Sequence, residues 1–143
     1  MLPFVIIIRI LYISTCIYAG CFFSNKEYKF STIWGIAVYA DTVFVLATLF
    51  NIFYLIFFPP ATISKISLNP TSILYYLNLE NIPPYLLYPI GLINLFEFLY
   101  WGVLAYYISK LFKYSYIDSL GFIYKTYGVG LLLVILILTL III

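Results

Sequence analysis

Four long apolar runs, separated by short polar segments, limit what this chain can fold into. They cover residues 2–23, 33–58, 85–108 and 120–143, and each contains a single charged residue. A helix needs roughly 20 apolar residues to cross a hydrocarbon layer ~30 Å thick. Charged residues make up only 8% of the 143 residues, against about 25% in soluble domains. The pattern predicts an all-α, multi-pass membrane helical bundle with four transmembrane helices, forming a single domain over residues 1–143.

The segment between the second and third runs is flanked by two proline pairs, at residues 59–60 and 83–84. It is too polar to cross a membrane and too apolar for a free linker. Asn69 followed by Pro70 is a helix-start signal, and the apolar residues that share one helical face after it are Ile73, Leu74 and Leu77. We therefore expect a short helix over residues 70–79 that lies along the membrane interface.

Lysines in the short connections predict the orientation of the chain. The first and third connections hold two lysines each, whereas the second holds only one; in chain order they are Lys26, Lys29, Lys65, Lys110 and Lys113. Short cytoplasmic connections carry an excess of Lys and Arg. We expect the first and third connections in the cytoplasm, and both termini and the proline-flanked segment outside.

Each apolar run carries one ionisable side chain at membrane depth: Arg9, Asp41, Glu97 and Lys125. Charges inside a bilayer are costly and usually pair within a helix bundle. Counting 1.5 Å per residue from the helix ends places Arg9 and Glu97 near the middle of the membrane, so we expect these two to pair. Asp41 and Lys125 lie nearer the cytoplasmic side and form the second predicted pair. Both pairs would serve mainly as adhesive between helices; the alternative for Lys125 is a side chain that snorkels to the interface without a partner.

A transport function is the alternative for the same side chains. Asp41 and Glu97 could carry a proton or a cation, as intramembrane carboxylates do in pumps, and the chain would then be a small transporter or channel subunit. The sequence indicates no pair of interrupted half-helices of the kind that builds transporter sites. Helix adhesion is therefore the favoured interpretation.

Three glycines in the last apolar run predict a surface for close helix packing: Gly121, Gly128 and Gly130. Small residues let helix backbones approach in lipid, where the hydrophobic effect does not drive helices together. Their spacing is not that of a GxxxG motif, so the favoured prediction is a packing face on the first half of the helix, and a hinge is the alternative.

The composition disfavours an enzyme. The chain contains no histidine, which is the usual base at neutral pH and the commonest metal ligand. Cys16 and Cys21 lie five residues apart on one predicted helix, so their side chains diverge and a disulfide is disfavoured. An enzyme acting on lipids would need a nucleophile beside a base, and the sequence indicates none.

We expect no cofactor and no metal, and a formal net charge of +2 is too small to indicate nucleic acid as a partner. The expected partners are the lipid bilayer and other membrane proteins or a second copy of the chain.

Two stretches resemble the Yip-domain (Ypt-interacting) family of membrane proteins. They are KEYKFSTIWGIAVYA at residues 26–40 and NLFEFLYWGVLAYYISKLFK at residues 94–113. The second contains the Asn94, Leu95 and Phe96 that match the family's entry into its fourth span. The chain departs from the family at Asp41, near which the family commonly has a proline, and at Trp101, which is displaced.

The resemblance implies a bundle of the family's five spans without the first, which leaves both termini outside and agrees with the lysine distribution. Eukaryotic members of the family are associated with vesicle trafficking and bind small GTPases through regions that include a cytoplasmic amino-terminal segment. Because the 143 residues include no such segment, GTPase binding is not expected. The function expected from the resemblance is that of an accessory or membrane-organising component.

Overall fold

The computed structural model describes residues 3–58, 70–77 and 81–142, and its regular elements are helical. In chain order they are α1 (Pro3–Phe23), α2 (Phe30–Phe57), a 3₁₀ turn (Ile73–Tyr76), α3 (Pro84–Leu92), α4 (Leu95–Phe112), α5 (Tyr116–Ile123), a π-helical turn (Tyr124–Gly128) and α6 (Val129–Ile142). The all-α prediction is confirmed for these residues.

Three helical segments in the described part of the chain are long and apolar enough to cross a membrane. They are Phe4–Phe23, Phe30–Phe57 and Tyr116–Ile141, the last of which runs through α5, the π turn and α6. They correspond to the first, second and fourth predicted spans and are consistent with an integral membrane protein. The fourth crossing stays a prediction.

The ends of these helices follow from local sequence. Proline occupies the first position of α1, where its missing amide donor costs nothing. Asn25 after α1 and Lys113 after α4 adopt positive φ angles of 52° and 54°, the left-handed conformation that commonly closes a helix. The start of α5 is capped by Ser115, whose Oγ accepts a hydrogen bond from the amide of Asp118 at 3.1 Å.

The third apolar run differs from the prediction of one continuous helix over residues 85–108. The chain forms α3, leaves helical geometry at Ile93 and Asn94, and then begins α4. The nine residues of α3 extend only ~14 Å, which is about half the thickness of a hydrocarbon core. Apolar composition alone could not show this interruption, because both helices are equally apolar.

The short interfacial helix expected over residues 70–79 also differs. Within the described residues, this segment forms the single 3₁₀ turn at Ile73–Tyr76, and residues 78 and 79 lie outside them. Its residue Leu74 is buried. The turn therefore packs its apolar side chain against protein, and Tyr76 stays exposed.

The helices divide into two compact units. The first comprises Met1–Thr42 and Tyr100–Leu133, and the second comprises Val43–Leu99 and Val134–Ile143. The core of the first unit consists of side chains with no exposed surface, among them Ile13, Ile17, Ile33, Leu104, Ile108 and Ile123. In the second unit the buried residues include Val43, Ala47, Ser72 and Leu74.

Large apolar side chains are exposed along the three membrane-length segments. More than half of the side-chain surface is accessible at Ile56 in α2 and at Leu136 and Leu140 in α6. Contiguous apolar surface of this kind is rare on proteins that face water. Apolar surface along these helices is compatible with contact with the hydrocarbon core of a membrane.

Candidate functional site

The charged residues of α1 and α2 meet in an ion pair. Arg9 Nη2 donates a hydrogen bond to Asp41 Oδ1, and the two side chains are 21% and 12% exposed. Each charge thereby has a counter-ion in a setting where the bilayer would offer none. Asp41 was expected to pair with Lys125, and the structure pairs it with Arg9 instead.

Asp41 pairs with Arg9 because α2 begins earlier in the chain than expected. Arg9 lies ~21 Å from the end of α1 at Phe23, counted at 1.5 Å per residue. Because α2 begins at Phe30 and not at residue 33, Asp41 lies ~17 Å from the same connection, deeper than expected. The flexible arginine stem spans the remaining difference. The guanidinium has five donors, so a bond to Asp41 does not prevent Arg9 from also bonding to another carboxylate. The predicted pairing of Arg9 with Glu97 stays a prediction.

Glu97 lies in the first turn of α4, immediately after the interruption at Ile93 and Asn94, and its side chain is 8% exposed. Asn94 Oδ1 accepts a hydrogen bond from the amide of Glu97 at 2.9 Å, and Asn94 Nδ2 donates to the carbonyl of Leu92 at 3.1 Å. Asn94 is therefore an N-cap, and a carboxylate in the first turn is favoured by the helix dipole. The sequence showed the carboxylate but not that it begins a helix.

The backbone groups left open by the interruption are satisfied by residues 71–73, which lead into the 3₁₀ turn. The amide of Ile73 donates to the carbonyl of Ile93 at 3.1 Å, and the amide of Leu95 donates to the carbonyl of Thr71 at 3.4 Å. Ser72 Oγ donates to the carbonyl of Gly91 at 3.1 Å. Buried non-helical backbone is tolerated where other parts of the protein bond to its polar groups. Residues 71–73 cover it here.

Small residues bring α1 close to the last helical segment. A Cβ added at Gly130 would lie 2.6 Å from Cys16 Sγ, and one at Gly128 would lie 3.2 Å from Trp101. Tyr12 Oη donates to the carbonyl of Gly130 at 2.8 Å. Close contact is thus observed at two of the three glycines singled out in the sequence, whereas a Cβ at Gly121 would meet nothing within 4 Å.

Gly20 is the packing residue that sequence analysis missed. A Cβ at this position would overlap the methyl group of Thr126. The signal that could have found it is the pair of small residues four positions apart on α1, Cys16 and Gly20, which Ser24 continues just after the helix. Residues four apart lie on one helical face, so the pair marks a stripe of close approach.

Lys125 lies in the π turn and lines an open groove between α1 and the segment from α5 to α6. Its side chain is exposed. In the described part of the chain no carboxylate forms an ion pair with it. Residues 3–58, 70–77 and 81–142 contain no cluster of three or more His, Cys, Asp or Glu side chains that could hold a metal ion.

No family model, characterised protein or solved structure matches the chain. The resemblance to the Yip-domain family therefore stays a prediction that rests on the two stretches quoted above.

Proposed function

We propose that this chain is a multi-pass integral membrane protein without enzymatic activity, which serves as an accessory or membrane-organising component through helix–helix and lipid contacts. The observation that carries the proposal is the ion pair between Arg9 and Asp41, because it uses two intramembrane charges to join α1 to α2. Charges committed to each other in this way stabilise helix association. The exposed apolar surface along the membrane-length segments supports the same assignment.

The proposal includes the topology and the trafficking-type role. The lysine-rich connections would lie in the cytoplasm and both termini outside, as the positive-inside rule implies. The four-span count and the Yip-domain resemblance belong to the proposal as well. A role in trafficking would then come from contacts with other membrane proteins or with a second copy of the chain.

Two measurements test this function. The protein should stay in the membrane pellet during alkaline carbonate extraction and enter the supernatant only with detergent; release by carbonate alone would contradict membrane integration. After purification in mild detergent it should be recovered with a membrane partner or as an oligomer. A chain that runs as a monomer and turns over a substrate would contradict the accessory role.

The second candidate is a small transporter or channel subunit that uses Asp41 and Glu97. The interruption before Glu97 favours it, because discontinuous helices form the substrate and ion sites of many transporters. Against it, the open backbone groups of the interruption bond to residues 71–73, and Asp41 is engaged by Arg9. The first contacts leave these backbone groups bonded to protein, and the second favours a structural role for Asp41.

Flux through reconstituted vesicles separates the two candidates. The accessory function predicts that wild-type protein conducts neither protons nor monovalent cations above empty vesicles. Transport predicts flux that Glu97→Gln reduces strongly, since glutamine keeps the shape and removes the charge. Wild-type flux that this substitution abolishes would replace the proposed function with the transport function.

A further inference from the structure

The groove beside Lys125 has one charged end and an apolar length. It has a volume of 450 Å³ and lies within the first unit. Its walls come from one face of α1, between Tyr12 and Ser24, and from one face of the opposite segment, between Phe122 and Leu133. At 1.5 Å per residue each wall is ~16–18 Å long. This length is about half of a ~30 Å hydrocarbon core, the thickness of one leaflet.

The two walls run in opposite directions, and this fixes which end is charged. Gly20 faces Thr126, whereas Tyr12 bonds to Gly130. Gly20 lies three residues, ~5 Å, from the end of α1. Lys125, the neighbour of Thr126, therefore lies about one helical turn from the membrane-surface end of the groove, near Ser24.

Helix geometry directs the Lys125 side chain toward that end. Cα–Cβ bonds in a helix tilt toward its amino terminus, and the segment that contains Lys125 begins at Tyr116 on the Ser24 side. A lysine at this depth extends its ammonium group toward the headgroups. The exposed ammonium has no carboxylate partner among the described residues, so an anion at headgroup level would complete its environment.

We infer that this groove binds one anionic phospholipid, with the phosphate on Lys125 and an acyl chain along the apolar walls. The inference rests on the membrane integration in the proposed function and is independent of the accessory role. Small residues line the groove, notably Ala19, Gly20 and Gly130. A phospholipid matches both its single positive end and its one-leaflet length. The predicted orientation places this lipid in the cytoplasmic leaflet.

Lipid retention in native mass spectrometry tests the inference. Purified protein is incubated with equal amounts of dioleoylphosphatidylglycerol and dioleoylphosphatidylcholine, which differ in headgroup charge and share their acyl chains. A lysine near anionic headgroups contributes about 1 kcal/mol, so wild type should prefer the anionic lipid about fivefold. Lys125→Gln should lose this preference, and its exposed side chain keeps the fold intact.

The matched control is Lys113→Gln, which removes the same charge from an exposed residue outside the groove and should keep the preference. Ala19→Phe should reduce retention of both lipids, because it fills the groove from an exposed position. A preference that survives Lys125→Gln, or wild-type protein that retains both lipids equally, would overturn the inference. So would a lipid-free dimer, since a second copy would then cover the groove. Equal retention by a protein that resists carbonate extraction contradicts this inference alone and leaves the proposed function standing.

Discussion

Replacing Gly20 with alanine tests the approach of α1 to the last helical segment. The added Cβ would overlap the Thr126 methyl group, and its next neighbours, Phe122 Cζ and Thr126 Cβ, lie at 3.1 Å. The threonine cannot turn aside freely, because its side chain is β-branched and its hydroxyl donates to the carbonyl of Phe122 at 2.9 Å. Something must therefore move.

The protein can respond to the added methyl group in two ways, and the less costly one determines the loss of stability. Pushing the helices apart amounts to overpacking, which costs about 1–3 kcal/mol. Rotating Thr126 instead gives up a hydrogen bond of about 1 kcal/mol. We expect Gly20→Ala to lower the free energy of unfolding by about 1–2 kcal/mol. The control is Gly121→Ala, whose Cβ would enter open space.

A double replacement isolates the contact. Thr126→Ser removes the overlapping methyl group and keeps the hydroxyl, so Gly20→Ala should cost clearly less on that background, where only the two contacts at 3.1 Å remain. The measurement is unfolding by sodium dodecyl sulfate in mixed micelles, followed by tryptophan fluorescence, for wild type, both single variants and the double variant. If Gly20→Ala costs the same with and without the threonine methyl group, the steric reasoning is wrong.

Three further predictions use the same unfolding assay or cysteine labelling. Arg9→Leu and Asp41→Leu should show a coupling of about 0.6–2 kcal/mol in a double-mutant cycle, whereas Asp41→Leu with Lys125→Leu should show none; the opposite result would restore the pairing first expected from the sequence. Asn94→Ala should cost about 1 kcal/mol through loss of the α4 cap, as measured by the same denaturant midpoint. In a variant without native cysteines, an impermeant thiol reagent outside intact cells should label a cysteine at the exposed Asn81 and spare one in the lysine-rich first connection; reversed labelling would invert the topology.

The membrane-length segments could be predicted because their signal is contained in their own residues. Apolar length identified α1, α2 and the last segment, and the boundaries in the structure lie within a few residues of those expected. The error of three residues in the start of α2 led to the wrong predicted partner for Asp41, because three residues of helix correspond to ~5 Å of depth. Pairing depends on depth, so it demands a precision that hydropathy does not supply.

The interruption before α4 depends on residues far from it in sequence. Pro89 and Asn94 are local signals that weaken a helix or begin one, but an apolar run of that length is also compatible with a kinked helix. The deciding contacts are made by Thr71, Ser72 and Ile73, about 20 residues earlier. Most of them join backbone atoms, and backbone bonds leave no trace in residue identity. This is why the sequence pattern did not reveal them.

The contacts at the interruption also bear on how the protein is made. Residues 71–73 leave the ribosome before Ile93 and Leu95, so the groups that cover the interruption already exist when the end of α3 emerges. About 20 residues, including α3, separate the two sides of these contacts, and closing a loop of that size is fast. These contacts can therefore form during synthesis, before the rest of α4 emerges from the ribosome. An arrest of translation at the point where residue 95 has just left the ribosome would give an intermediate in which these contacts are complete and the rest of α4 has not yet emerged.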